Sequence, residues 1–136
     1  NFLKEKRIKG IFLKVSGPFH TKFMKEGVEF LKNEIEKIEF KNPEFPVYMN
    51  FTGKKTIDKE EIKEGLLKQI YSTVKWVETI ENMVNDGAEC FVEIGPKNVL
   101  KKLIETIVPD MPSFNIENPE TLNTFISFLK QEGGNV

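Results

Sequence analysis

With 136 residues, 39% of them hydrophobic and 12 of them Phe, the chain has the size and apolar content of one compact domain. Its 20 basic and 21 acidic residues leave a formal net charge of -1, which excludes a polybasic nucleic-acid scaffold or membrane binder and leaves any partner to be recognised locally. No apolar stretch approaches the roughly 20 residues that cross a bilayer and no signal segment opens the chain, so a cytoplasmic protein is expected.

The first ten residues resemble the tail of a helix entering a strand, and the chain starts at Asn1 without an initiator methionine, as a fragment of a longer protein would. Ile8, Ile11, Phe12, Leu13 and Val15 then predict a strand over 7–15 that stops at the turn residues Ser16, Gly17 and Pro18. His20, the single histidine, follows that turn. Met24, Val28, Leu31, Ile35 and Ile38 recur at intervals of 3 and 4, which predicts one amphipathic helix over 21–38. A short strand is expected over 46–51, closed by Thr52 and Gly53.

Asp58 marks the next helix as its N-cap, with Glu61 as capping-box partner and Ile57 and Ile62 as a hydrophobic staple. Leu66, Leu67 and Ile70 point inward, and a further helix carries Trp76, Val77, Ile80, Met83 and Val84 up to Gly87. The apolar run over 89–94 reads as a central strand covered by helices on both faces, with the single cysteine, Cys90, packed in it. After Gly95 and Pro96 comes a helix with Leu100, Leu103, Ile104 and Ile107 on one face, ended by Pro109. A last strand over 111–116 precedes a helix capped by Asn118, opened by Pro119 and left at Gly133 and Gly134, with Leu122, Phe125, Ile126 and Leu129 buried. Strand and helix alternate throughout, which predicts an α/β fold with a largely parallel sheet.

In such sheets reacting groups collect at the carboxyl ends of strands, and two strand-to-helix turns qualify, "SGPFHT" and "EIGPKN". A histidine acting as general base needs a proton donor and a third group that fixes its tautomer. The chain offers no nucleophile to complete that set. Ser16, Ser72, Ser113 and Ser127 all lie outside a Gly-x-Ser-x-Gly elbow, and Cys90 sits inside a strand. One His and one Cys, far apart, have no metal-ligand spacing, so no metal site is expected, and "EIGPKN" has a single glycine where a phosphate cradle needs several. Taken alone, these residues make half of an active site.

"VSGPFHT", "VYMNFTG", "QIYSTVKWVETI" and "FVEIGPKNVLKKLI", in that order, resemble the C-terminal part of the malonyl-CoA:acyl-carrier-protein transacylases, in the acyltransferase family of fatty-acid and polyketide synthesis. The resemblance implies an α/β fold of two parts: residues 1–15 as the end of a ferredoxin-like small subdomain, and 16–136 as the C-terminal part of an α/β-hydrolase-like large subdomain. It implies malonyl transfer from coenzyme A to the phosphopantetheine thiol of acyl carrier protein through an acyl-serine, with His20 as general base and the Gln69 main-chain carbonyl as the group that holds the imidazole. Phe19 resembles the ring that leaves little room for an α-methyl branch, and Lys97 stands where many relatives carry a second glycine. The partners so implied are malonyl-CoA, acyl carrier protein and the missing N-terminal part of the same enzyme, which in the family holds the nucleophilic serine and the arginine for the malonyl carboxylate. No cofactor is implied beyond the coenzyme A and phosphopantetheine arms of the substrates. For the acidic carrier protein the basic candidates are Lys4, Lys6, Arg7 and Lys9 at the start, and Lys97, Lys101 and Lys102 beside the second turn. The alternative is a non-catalytic α/β interaction module that kept this fold.

Overall fold

The computed structural model describes residues 2–7 and 15–132. Its elements run α1 (Phe2–Glu5), a 3-10 helix (Lys22–Gly27), α2 (Val28–Ile35), β1 (Val47–Tyr48), β2 (Lys55–Thr56), α3 (Lys59–Lys68), α4 (Trp76–Asn85), β3 (Phe91–Ile94), α5 (Val99–Ile107), β4 (Ser113–Ile116) and α6 (Pro119–Glu132). Most of the strand expected over 7–15, and the glycine exit at Gly133 and Gly134, lie outside the described residues.

The fold is α/β. β3 and β4 pair in parallel, with Phe91 opposite Ser113 and Ile94 opposite Ile116, and α5 makes the crossover between them. β1 and β2 form a separate antiparallel pair, Val47 opposite Thr56. Among the described residues β3 pairs with β4 alone, and Ile94 at its end is 82% exposed, so only the start of the strand has the covered environment expected of a central one.

Ile80 of α4, Phe91 of β3 and Ile104 of α5 form the buried centre, with Trp76, Met83, Val84, Ile107 and Met111 packed against it. Burying an aliphatic or aromatic side chain contributes about 1.5–3 kcal/mol, so this three-element contact anchors the parallel pair. Glu93 joins the strand to the helix after it: its carboxylate accepts from the Leu100 and Lys101 main-chain N–H groups at 3.2 and 2.9 Å, the donors that α5 itself leaves unpaired.

A second contact seats α3 on the turn that follows β1. Gly65 is buried in mid-helix, where a Cβ would overlap the Met49 methyl group and come within 3.3 Å of the Phe51 ring. The β1–β2 turn needs its glycine twice over: Gly53 has φ 69°, and a Cβ there would lie 3.1 Å from that of Glu78 on α4.

Three expectations about elements change. The stretch 21–38 is a 3-10 helix followed by α2, and Ile38 lies beyond the helix end, where the Glu36, Lys37 and Ile38 N–H groups fold back onto carbonyls three or four residues earlier. Asp58 caps α3 as expected, accepting from Glu60 and Glu61 N–H, but the Glu61 carboxylate takes the Thr56 hydroxyl and Ile57 stays exposed, so neither the reciprocal box nor the staple forms. On α6, Asn118 caps as expected, with its side chain accepting from Thr121 N–H. Its covered face is set by Phe125 and Phe128 against Phe114 of β4, at 5.2 and 4.7 Å between ring centroids, which leaves Leu122, Ile126 and Leu129 exposed. Among the described residues no helix is long and apolar enough to cross a membrane.

Candidate functional site

His20 lies in the turn between Val15 and the 3-10 helix with φ 61°, a left-handed conformation that histidine adopts more readily than most residues but that still costs energy. Three hydrogen bonds hold it there. The Thr21 hydroxyl donates to Pro18 O at 2.6 Å, closing the turn, and His20 N–H donates to Ile70 O at 2.9 Å. The ring follows, with His20 Nδ1 2.9 Å from Gln69 O.

A carbonyl oxygen can only accept, so Nδ1 carries the proton and Nε2 carries the lone pair. Both acceptors come from the same place. Gln69 is the C-cap of α3 and Ile70 the residue after it, where helix carbonyls have no partners within the helix. The end of α3 thus fixes the backbone of His20 through one carbonyl and its imidazole through the next. Gln69 N–H in turn donates to Gly65 O at 2.9 Å, so the close seat of α3 on Met49 also fixes the carbonyl that faces the ring.

Around this pair is a cleft of about 380 Å³ lined by Phe19, His20, Met24, Gly27, Asn50, Gln69 and Ile70. Phe19 lies across Gly17, where a Cβ would come within 3.2 Å of its ring. Asn50 reaches the cleft from the β1–β2 turn and is held by Lys75 N–H, which donates to its carbonyl at 2.7 Å. The structure therefore brings His20, Gln69 and Phe19 to one cleft. Asn50, Met24 and Gly27 join them without having been singled out in the sequence, where only the "VYMNFTG" segment pointed toward Asn50.

Lys97 and Lys101 belong to the other strand-end turn and do not line this cleft. Lys97 has φ 71°, the left-handed conformation a glycine would take freely, and its N–H donates to the Glu117 carboxylate at 3.0 Å. The Lys101 amine pairs with Glu105 on the next turn of α5 at 3.0 Å. Lys101 borders a second, more polar cleft of about 440 Å³ with Asn98, Ser113, Glu117, Thr121 and Thr124. Cys90 is a free, half-buried thiol just before β3, and among the described residues no group of three or more His, Cys, Asp or Glu could hold a metal ion.

No family model matches the chain. Individual proteins do. It is 35% identical over 127 residues to the malonyl CoA-acyl carrier protein transacylase of Bacillus subtilis (strain 168), a match over 93% of this chain and 40% of that protein. Its fold superposes on the crystal structure of the malonyl CoA-acyl carrier protein transacylase of Clostridium perfringens with a TM-score of 0.90 at 30% identity, over 97% of this chain and 42% of that one. A complex of a type II PKS acyl-carrier protein with its malonyl-transacylase, PlMCAT:AntF, matches with a TM-score of 0.77 at 36% identity, over 82% of this chain and 36% of that one. Similar along nearly its whole length in both sequence and fold, the chain belongs to the malonyl-CoA:acyl-carrier-protein transacylase family and spans about two fifths of its relatives' length.

Proposed function

We propose that this chain is the general-base part of a malonyl-CoA:acyl-carrier-protein transacylase. The observation that carries the reading is the 2.9 Å contact between His20 Nδ1 and Gln69 O, which leaves Nε2 as the basic atom beside the cleft. A main-chain carbonyl does here what a carboxylate does in a Ser-His-Asp triad, without burying a charge.

The reaction then runs in two balanced halves. Nε2 takes the proton of a serine hydroxyl as its oxygen bonds to the thioester carbonyl carbon of malonyl-CoA; the C–S bond breaks and the coenzyme A thiolate leaves with that proton. In the second half Nε2 takes the proton of the phosphopantetheine thiol, the sulfur bonds to the acyl carbon, and the serine oxygen leaves and recovers its proton. The imidazolium formed in each half faces the partly negative C-terminal end of α3, which favours it.

The serine comes from outside this chain, in the three fifths of the relatives' length that it does not match. On this reading residues 1–15 end the small subdomain, 16–136 belong to the large one, and the enzyme works in the cytoplasm. Phe19 restricts the acyl group beside the base, and Lys97 and Lys101 contribute to carrier-protein docking. The likeness to a transacylase held in complex with its acyl-carrier protein supports the choice of that partner.

The test is a pair of substitutions in the complete transacylase that carries this sequence. His20→Ala lowers the transfer rate by about 10²–10⁴-fold, the usual share of a general base. Gln69→Ala lowers it far less, because the carbonyl survives the change. Equal losses from the two would overturn the backbone-held base, and full activity in His20→Ala would overturn the reading altogether.

A further inference from the structure

Thr21 follows His20 and is the N-cap residue of the 3-10 helix, with extended backbone at φ -129° and ψ 161°. A threonine in that place ordinarily accepts a helix N–H on its side-chain oxygen. Thr21 makes no such side-chain bond, and Met24 N–H goes to the Thr21 carbonyl at 3.0 Å. The hydroxyl donates backwards, across His20, to Pro18 O at 2.6 Å. Thr21 is exposed and does not line the cleft, so neither packing nor contact with a bound acyl group accounts for that use of it.

What the hydroxyl closes is the turn that carries the histidine. Pro18 and Thr21 are the ends of a four-residue turn in which His20 stands third, with φ 61°. At a positive φ that place usually belongs to glycine or asparagine, and a residue with a larger side chain relaxes to negative φ unless it is held. Two of the three bonds that hold His20 come from the end of α3, Ile70 O to its N–H and Gln69 O to its ring. The Thr21 hydroxyl supplies the third, from within the turn itself. With that clasp open the backbone can rotate at His20, and the ring swings with it, away from the Gln69 carbonyl.

We propose that Thr21 is a positioning residue for the transfer reaction: by clasping Pro18 O across His20, its hydroxyl keeps the imidazole aimed so that Nδ1 meets Gln69 O and Nε2 faces the cleft. The inference rests on the reading of His20 as the base. Thr21 lies outside the cleft and acts only through His20, so its effect on the rate vanishes when His20 is absent.

The test is Thr21→Val, Thr21→Ala and Thr21→Ser in the complete transacylase, each alone and combined with His20→Ala, with kcat, KM for malonyl-CoA and the thermal unfolding midpoint measured. Thr21→Val and Thr21→Ala lower kcat by about three- to tenfold, the factor by which one lost hydrogen bond shifts an equilibrium between two conformations, and leave KM within about twofold. Thr21→Ser keeps the hydroxyl and holds kcat within about twofold of the parent. In the His20→Ala background none of the three changes the residual rate by more than about twofold. Should the Val variant fail to fold, the Ala variant carries the same comparison. A parent-like kcat in Thr21→Val and Thr21→Ala, with lowered unfolding midpoints or without, overturns the role of Thr21. So does a Ser variant as slow as Val, since the methyl group would then be what matters, and so does a further loss in the His20→Ala background, since Thr21 would then act on the substrate directly. Each of these leaves the base in place; full activity in His20→Ala overturns both.

Discussion

Lys97 and His20 hold left-handed backbone at φ 71° and 61°, each in a turn that leads into a helix, and each is pinned by its own N–H, to the Glu117 carboxylate and to Ile70 O. A Cβ in that conformation costs about 1–2 kcal/mol. At His20 the ring is the reason to bear it, since the turn aims Nδ1 at Gln69 O. Among the described residues the Lys97 side chain makes no hydrogen bond or ion pair, so Lys97→Gly raises stability by about 1 kcal/mol, the relieved strain less the extra freedom of an unfolded glycine. Urea denaturation of the variant beside Lys97→Ala checks it, because alanine keeps the Cβ and gains nothing. The same Lys97→Gly variant addresses docking. If this lysine steers an acidic carrier protein, its loss raises KM for that protein at low ionic strength and less so at high. An unchanged KM at low salt leaves Lys97 as surface only.

Between elements, the β1–β2 pair is tied to the end of α4 by one carboxylate. Asp86 accepts from the Lys55 amine at 2.8 Å and from the Tyr48 hydroxyl at 2.5 Å. The Lys55 contact, then that of Tyr48, holds the Asp86 carboxyl below the usual carboxylate value, while donating to Asp86 pushes the Tyr48 phenol up to about 12. The signs give a two-sided pH window. A depressed carboxyl stabilises the fold above its ordinary value and loses that contribution as pH falls through the lower folded one; a raised phenol stabilises below 10.0 and loses its contribution as pH climbs toward about 12. The protection of the β1–β2 turn amides, taken relative to free-peptide exchange at the same pH, should therefore fall at both extremes, and Asp86→Asn should flatten the acid side. Exchange with the same pH dependence in Asp86→Asn and the parent would mean that the tie does not hold the turn.

That tie was not legible in the sequence, because Lys55 and Asp86 lie far apart and β2 is two residues, Lys55 and Thr56, with no apolar pattern of its own. What could be read was local: the Asp58 and Asn118 caps, the Pro109 stop, and strands near 47 and 91 follow from residue chemistry within a few positions. Which stripe of a helix is buried depends on its neighbour, and so Phe114 keeps the expected Phe125 inward and adds Phe128, while Leu122, Ile126 and Leu129 stay exposed. His20 and Gln69, 49 positions apart, were paired only through the family resemblance. Met24, Gly27 and Asn50 reach the cleft through tertiary packing and gave no signal as a group.

For the whole molecule, large apolar side chains lie exposed in rows among the described residues. Val99, Leu100 and Leu103 are exposed on α5, and Leu122, Ile126 and Leu129 on α6, while among the described residues five hydrophobic side chains are buried. Apolar faces of this extent are normally covered by something, and the relatives are long enough to supply the cover, since the chain spans about two fifths of them. The isolated chain should therefore bind a hydrophobic-surface dye and self-associate with rising concentration, and the complete transacylase of the proposed reading should do neither. The measurements are dye fluorescence and sedimentation on both proteins at equal molar concentration. An isolated chain that stays monomeric and dye-free would mean that these faces rest in water as they are, and that the further length the relatives possess is not what covers them.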